Sequence, residues 1–275
     1  PQPKKEKRYH LVVVAKNQIG YENLVKLTTL SHLNGVRGRG IFSRPCIDKS
    51  LFKKYSDGLI CSTACLGGEI PQAILKGRND IAREVAAWYK EILGEDFYLE
   101  IQDHGSIEDR IVNSEIVKIS EELDIQIIAT NDAHYVSKND IEAHDALICV
   151  LTGKLISDHK RLRYTGTEYI KSEEEMRSLF TDHLETNVIN SAIENTVTLS
   201  NKVEEYNILG NYKMPNFPIP TGSKPIDYLK EISVNGLKEI LDINEFENFP
   251  NVYKERLDYE LKVIDQMGFP TYFLV

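Results

Sequence analysis

No run of about 18 or more apolar residues occurs anywhere in this 275-residue chain, so it has no segment that could cross a bilayer as a helix. Cysteine is scarce. Cys46, Cys61, Cys65 and Cys149 are the only four. That is too few for a disulfide scaffold at this length and fits a reducing cytoplasm. Behind the basic opening run Pro1 to Arg8 there is no apolar stretch of signal-peptide length, which argues against secretion. Positive charge is not in excess either: 33 Lys and Arg face 42 Asp and Glu, a formal net charge of −9. That balance argues against a generic DNA-coating protein, whose affinity would come from basic side chains neutralising phosphates, but not against a basic groove elsewhere. The sequence also has no Walker loop, Rossmann fingerprint, serine nucleophile elbow, internal repeat or low-complexity tract.

What remains is the composition of an ordinary globular protein, 41% apolar and 27% charged, long enough for one or two domains. Up to about residue 150, short β-branched runs alternate with amphipathic stretches. Strands are expected at His10 to Ala15, Gly58 to Cys61, Phe97 to Ile101 and Ile125 to Ala129. Helices are expected at Tyr21 to Leu33, Asn79 to Leu93 (Asn79 as N-cap, Gly94 as terminator), Ile107 to Leu123 and Ser137 to Leu151. Strand followed by helix, repeated, implies a parallel sheet in an α/β fold, with ligands collecting at the carboxyl ends of the strands. After residue 151 only helices are expected: Ser172 to Phe180, Asn187 to Val203, Asp227 to Leu241 and Tyr253 to Met267. Three prolines between Met214 and Pro220 suggest an extended linker. The division expected is therefore 1–205, a linker at 206–222, and 223–275. With no initiating Met, and with an apolar run at Phe269 to Val275, the chain reads as a piece of something longer.

The strongest chemical signal is Ala129-Thr-Asn-Asp132-Ala-His134-Tyr, just after the fourth expected strand. At a strand end, side chains two apart share a direction, so Asp132 and His134 could reach one cation. A carboxylate with an imidazole suits zinc, manganese or iron. The plainer alternative is a turn aspartate beside a surface histidine. The second expected strand exits into Cys61-Ser-Thr-Ala-Cys65-Leu-Gly-Gly-Glu69, where small residues let the backbone approach a ligand. Cys65 could be a ligand there or simply a small buried apolar residue, and Cys61 reads as core. His10 opens the first expected strand and could be a capping or surface residue. Its position is awkward, because the other candidates follow their strands. Glu100, Asp103 and His104, after the third strand, rank as supporting or surface residues. His144 shares a helix face with Ile141 and Leu147 and reads as a core histidine. Arg37 and Arg39, in the loop Gly35 to Gly40, could touch phosphate or lie in a solvated loop.

These segments taken together resemble a known family. His10-Leu-Val-Val-Val-Ala-Lys-Asn17, Gly20-Tyr-Glu-Asn-Leu24, Cys61 to Glu69 and Ala129 to Tyr135 are similar to the PHP (polymerase and histidinol phosphatase) domain of bacterial DNA polymerase III alpha subunits. Glu142 to Leu147 and Tyr169 to Met176 continue the likeness, and Tyr259 to Val275 resembles the entry to that family's palm. Phe97 to Gly105 and Lys160 to Tyr164 look most like the cyanobacterial or plastid-related branch.

The resemblance implies a partial, distorted β/α barrel followed by a mainly helical segment. It implies a metal cluster at the strand ends with His10, Cys65, Asp132 and His134 as ligands, zinc or manganese being the expected metals. In the family, further ligands precede the residue matching Pro1, and the polymerase aspartates lie beyond the residue matching Val275. On this reading no polymerase catalytic residue lies in the chain, and magnesium for polymerisation is bound outside it. The implied function is that of part of a replicative DNA polymerase: it uses primed DNA and dNTPs, works with a sliding clamp and other replisome subunits in the cytoplasm, and does not engage membrane. The PHP part contributes 3′–5′ exonuclease proofreading or structural support, and the segment alone neither polymerises nor degrades DNA. Two alternatives stay open: a stand-alone PHP phosphoesterase, and a non-catalytic module stabilised by metal.

Overall fold

The computed structural model describes residues 7–38, 43–211 and 214–275. The chain divides into two compact units, one ending at Ile208 and the other running from Leu209 to Val275.

In the first unit, the strands β1 (Val12–Ala15), β4 (Leu59–Ser62), β5 (Phe97–Ile101) and β6 (Ile127–Ala129) form one sheet in the order β1-β4-β5-β6. Strands β4, β5 and β6 are parallel, as the strand–helix alternation implies. β1 departs from that expectation and runs antiparallel to β4, with Val12 opposite Ser62 and Ala15 opposite Leu59. A 43-residue excursion separates them. It holds α1 (Gln18–Asn34), a two-stranded ladder of β2 (Val36–Arg37) and β3 (Arg44–Pro45), and α2 (Lys49–Lys54). Such a detour does not enforce the right-handed crossover that makes neighbours parallel. Arg39 lies outside the described residues.

Because side chains alternate across a strand, the sheet has two apolar faces. Leu59, Cys61, Phe97, Leu99, Ile101, Ile127 and Ala129 share one core with α3 (Glu69–Ile74), α4 (Asn79–Leu93), α5 (Ile107–Leu123) and α8 (Thr186–Asn201). Ile60, Tyr98 and Ile128 face the other way, against Val14 and Leu199. At the carboxyl ends the second face turns polar, with Ser62, Glu100 and Thr130 in the next alternate positions.

Helix α4 has the expected bounds, but Arg78 is its N-cap and Asn79 is its first helical residue; Gly94 ends it at φ 57°. Helix α5 starts on a capping box, with Ser106 taking the Asp109 amide and Asp109 reaching back to Ser106. Ile116 and Ile119 are buried as expected, whereas Ile111 is exposed. Helix α1 crosses the turn before β4 so closely that a Cβ on Gly20 would lie 1.8 Å from the Gly58 carbonyl oxygen.

Helix α6 (Ile141–Thr152) departs further from expectation. Only Cys149 is buried on it, and Leu147 is half exposed, so His144 does not sit on a core face. The basic stretch Lys160 to Arg163 is partly neutralised, since Arg161 forms a two-pronged ion pair with Asp145, its Nη2 lying 2.6 Å from Oδ2. Helices α7 (Glu173–Phe180) and α8 follow. Tyr206 donates to the Ala15 carbonyl at 3.0 Å, keeping the chain on the first unit to that point.

In the second unit, α9 (Pro225–Leu241), α10 (Asn251–Gln266) and the short α11 (Pro270–Leu274) bury Leu229, Leu261 and Leu274 together. Phe217 and Ile219, from the proline-rich stretch, pack against that cluster. Helix α11 accounts for the apolar run at the end of the sequence, and α2, α3 and the β2–β3 ladder are too short for a periodic pattern to mark them.

Candidate metal centre

The antiparallel pairing of β1 removes the difficulty with His10. The start of an antiparallel strand lies beside the end of its neighbour, so His10 stands at the carboxyl end of β4. Its amide donates to the Gly67 carbonyl at 3.0 Å, and it bridges Gly68. Its Nδ1 lies 3.5 Å from the Cys65 Sγ. The Cys65 loop turns sharply. Ala64 has φ 59°, and a Cβ on Gly68 would sit 2.1 Å from the Thr63 carbonyl oxygen, so only glycine fits there. Burial pushes the Cys65 thiol up, and the nearby Asp132 carboxylate pushes it further.

Asp132 and His134 do not continue the strand. Asp132 adopts φ 46°, which ends the extended backbone, so the two side chains do not share a strand direction as expected. Instead the His134 Nδ1 lies 2.6 Å from the Asp132 carbonyl oxygen. A carbonyl only accepts, so Nδ1 carries a proton, and in the neutral ring the lone pair is then on Nε2. This is the tautomer a metal-binding histidine needs when its other nitrogen donates to a carbonyl. The Tyr164 ring lies 4.4 Å from His134 and 4.8 Å from His144.

Two buried carboxylates flank this segment. Glu100 accepts from the Ser62 hydroxyl at 2.6 Å, the Ala64 amide at 3.0 Å, the Gln102 side chain at 2.9 Å and the Thr130 hydroxyl. Glu168 accepts from the Thr165 amide and hydroxyl at 3.0 and 2.7 Å, from the Gly166 and Thr167 amides at 3.1 Å each, and from the Tyr135 hydroxyl at 3.3 Å. Burial alone would raise the Glu168 carboxyl, but the donors from Thr165 and Gly166 outweigh it and hold it down at about 2. The Glu168 carbonyl also takes the His134 amide at 2.7 Å. His104 donates to or accepts from Thr167 at 2.9 Å through Nδ1, and its Nε2 is buried without a partner.

Two family profiles match the chain: a PHP domain at residues 2–104 and the "Bacterial DNA polymerase III alpha NTPase domain" at 227–275. DNA polymerase III subunit alpha from Borreliella burgdorferi is 42% identical over 270 residues, covering 97% of this chain and 22% of that protein. The Campylobacter jejuni subunit is 36% identical over 297 residues, covering 98% and 24%. The Mycobacterium tuberculosis H37Rv subunit is 34% identical over 270 residues, covering 97% and 22%. Over nearly its whole length, then, the chain is similar to one segment of DNA polymerase III alpha subunits. It spans about a fifth of the length of these relatives.

The PHP match includes His10, Cys65 and Glu100. Asp132 and His134 lie beyond it, within the relatives' aligned span. PHP domains depend on metal, so the donor set has to be tested for fit. His10 and Cys65 touch, and the His134 tautomer is correct. However, no three donors among His10, Cys65, Asp132 and His134 lie within 4.8 Å of one another. Their chemistry suits zinc or manganese, with Cys65 a thiol until a cation replaces its proton.

Among the described residues, the compact group with metal-ligand spacing is Asp103, Asp182 and His183. Sequence reasoning missed the group because its first and last members are 80 positions apart. Most of its valences are taken, although the buried Asp103 Oδ2 has no hydrogen-bond partner. The Asn113 amide nitrogen, fixed by donating to the Gln102 carbonyl at 2.9 Å, faces the His183 Nε2 at 3.2 Å. His183 therefore keeps its proton on Nδ1 and gives it to Asp182 at 2.7 Å. Arg110 supplies the cation, 2.7 Å from Asp182. The arrangement is an ion-pair knot joining α5 to the end of α7. An ion there would compete with Arg110 for Asp182 and with the Nδ1 proton of His183.

Proposed function

We propose that this chain is the segment of a replicative DNA polymerase alpha subunit that carries the later part of the PHP domain (1–205), a linker (206–222) and the start of the palm region (223–275). The whole subunit would extend primed DNA with dNTPs in the cytoplasm, using magnesium held outside this segment, alongside a sliding clamp and other replisome subunits. The observation that carries this reading is the ordered pair of profile matches, PHP first and polymerase second, within alignments covering 97% of the chain. The second match also argues against a stand-alone phosphoesterase, which has no use for a polymerase segment.

In the PHP part, His10, Cys65, Asp132 and His134 are the proposed ligands of a divalent ion, zinc or manganese. When bound, such an ion supplies Lewis-acid polarisation of a phosphate ester, the chemistry a 3′–5′ exonuclease requires. The chain's own residues prepare for it. The Asp132 carbonyl holds the proton on His134 Nδ1 and leaves Nε2 to ligate. The His10 imidazole sits against the Cys65 sulfur, so both donors face the same space, and the thiol proton would leave to solvent if a cation bound there. Asp132 supplies negative charge beside Cys65.

Metal content tests the assignment. After dialysis against trace zinc and manganese, the wild-type chain should retain about one ion or more per chain by mass spectrometry, and His134→Ala should lose it. Equal retention by both would remove His134 from the site.

A further inference from the structure

The four proposed ligands sit on three segments: His10 bonds directly to the Cys65 loop, while Glu100 bridges that loop to the strand end that leads to Asp132. We propose that Glu100 and Glu168 are the positioning residues of this centre: Glu100 locks the Cys65 loop to the strand that leads to Asp132, and Glu168 locks the backbone of His134. The inference rests on the metal-centre reading above and deepens it.

Glu100 is 5% exposed, at the carboxyl end of β5 between the exits of β4 and β6. One oxygen takes Ser62 and the Ala64 amide, directly before Cys65. The other takes Gln102 and Thr130, two residues before Asp132. The Thr63 hydroxyl in turn receives the Glu100 amide at 2.9 Å, and Gln102 also donates to Thr130 at 2.9 Å. A single carboxylate therefore fixes the distance between two ligand loops. Glu168, also 5% exposed, performs the equivalent task from the other side. Its carboxylate closes the 165–167 turn on itself and takes Tyr135, while its carbonyl takes the His134 amide.

Only a carboxylate satisfies these surroundings. Four donors converge on Glu100 and five on Glu168, and an acceptor-only group with two oxygens can serve them all. Glutamine has the same shape but presents an NH2. At position 100 that NH2 would meet either the Ala64 amide or the Gln102 NH2. At position 168 it would meet the Thr165 amide or those of Gly166 and Thr167. Each choice sets donor against donor in a buried place. Outer partners that orient metal ligands typically govern affinity by about 10- to 100-fold.

The test is cobalt(II) titration of the chain, followed by the thiolate-to-cobalt charge-transfer band that reports sulfur ligation by Cys65. Glu100→Gln and Glu168→Gln should weaken cobalt binding by about 10- to 100-fold and shift or diminish the band. Thr130→Val removes one donor to Glu100 without changing volume and should weaken binding in the same direction; it serves if Glu100→Gln fails to fold. The control is Asp109→Asn. Asp109 is as deeply buried and as fully bonded, to the His104 and Ser106 amides and the Ser106 hydroxyl, but it caps α5 and touches no proposed ligand. It should lower stability while leaving cobalt affinity and the band at wild-type values. Wild-type affinity and band in Glu100→Gln and Glu168→Gln, or an equal loss in Asp109→Asn, would overturn the positioning role. A wild-type chain that binds no cobalt would overturn the metal-centre reading itself, and the positioning role with it.

Discussion

The two units bury their apolar residues to very different degrees. In the first, strands β4 and β5 are buried at every residue and both faces of the sheet are covered. In the second, the described helices share a cluster of three fully buried residues, and Ile240, Val252, Tyr272 and Phe273 stay exposed. Burial of apolar surface is the main favourable term in folding, so the first unit can hold a precise site at its strand ends, whereas the second has little to hold itself with.

Four substitutions and one titration can break or sharpen that contrast. Trp88, the only tryptophan, packs against Phe52 and Tyr89 and so reports on the first unit. The largest effect expected is from Ile116→Ala, which should shift the urea transition seen by Trp88 fluorescence by about 2–5 kcal/mol. Leu229→Ala should cost about 2–3 kcal/mol, read as helical circular dichroism lost at lower urea, while the Trp88 transition stays in place. If it moves the Trp88 transition as far as Ile116→Ala does, the units are not separate in energy. Next comes Ser106→Ala, which removes one half of the α5 capping box and should cost about 1 kcal/mol in the Trp88 transition.

Glu168 predicts a pH window. Its folded pKa of about 2 lies below the unfolded value near 4.5, so its stabilisation is complete above the unfolded value and drains away as pH falls toward the folded one. Between those limits wild-type stability should fall with pH more steeply than that of Glu168→Gln; parallel curves would contradict the assignment. The smallest effect should come from Arg256→Gln. It breaks an exposed i,i+4 pair with Glu260 on α10, and should change helix content in thermal melts by less than about 0.5 kcal/mol.

Much of the first unit was legible because its elements are long or strongly patterned. Helix α5 and strand β5 have the bounds their periodicity implies, and Gly94 ends α4 as a residue tolerant of positive φ should. What was not legible depends on distance in sequence. The antiparallel pairing of β1 is decided by packing between Val12 and Ser62, fifty residues apart, and that pairing alone brings His10 beside Cys65. Glu168 carried no signal, because a glutamate between threonines is ordinary until its donors close around it. His144 was misplaced on a core because the α6 pattern is apolar on more than one face, and periodicity cannot say which face is covered. Asp132 and His134 stood out by residue type, but the left-handed turn at Asp132 could not be read from their spacing.

The central claim is that Cys65 and the histidines at the strand ends bind one metal together. X-ray absorption at the zinc edge of the zinc-loaded chain tests it most directly. The account predicts one sulfur scatterer at about 2.3 Å with nitrogen or oxygen neighbours at about 2.0–2.2 Å, and loss of the sulfur shell in Cys65→Ser. A zinc shell of nitrogen and oxygen alone, unchanged by Cys65→Ser, would contradict it.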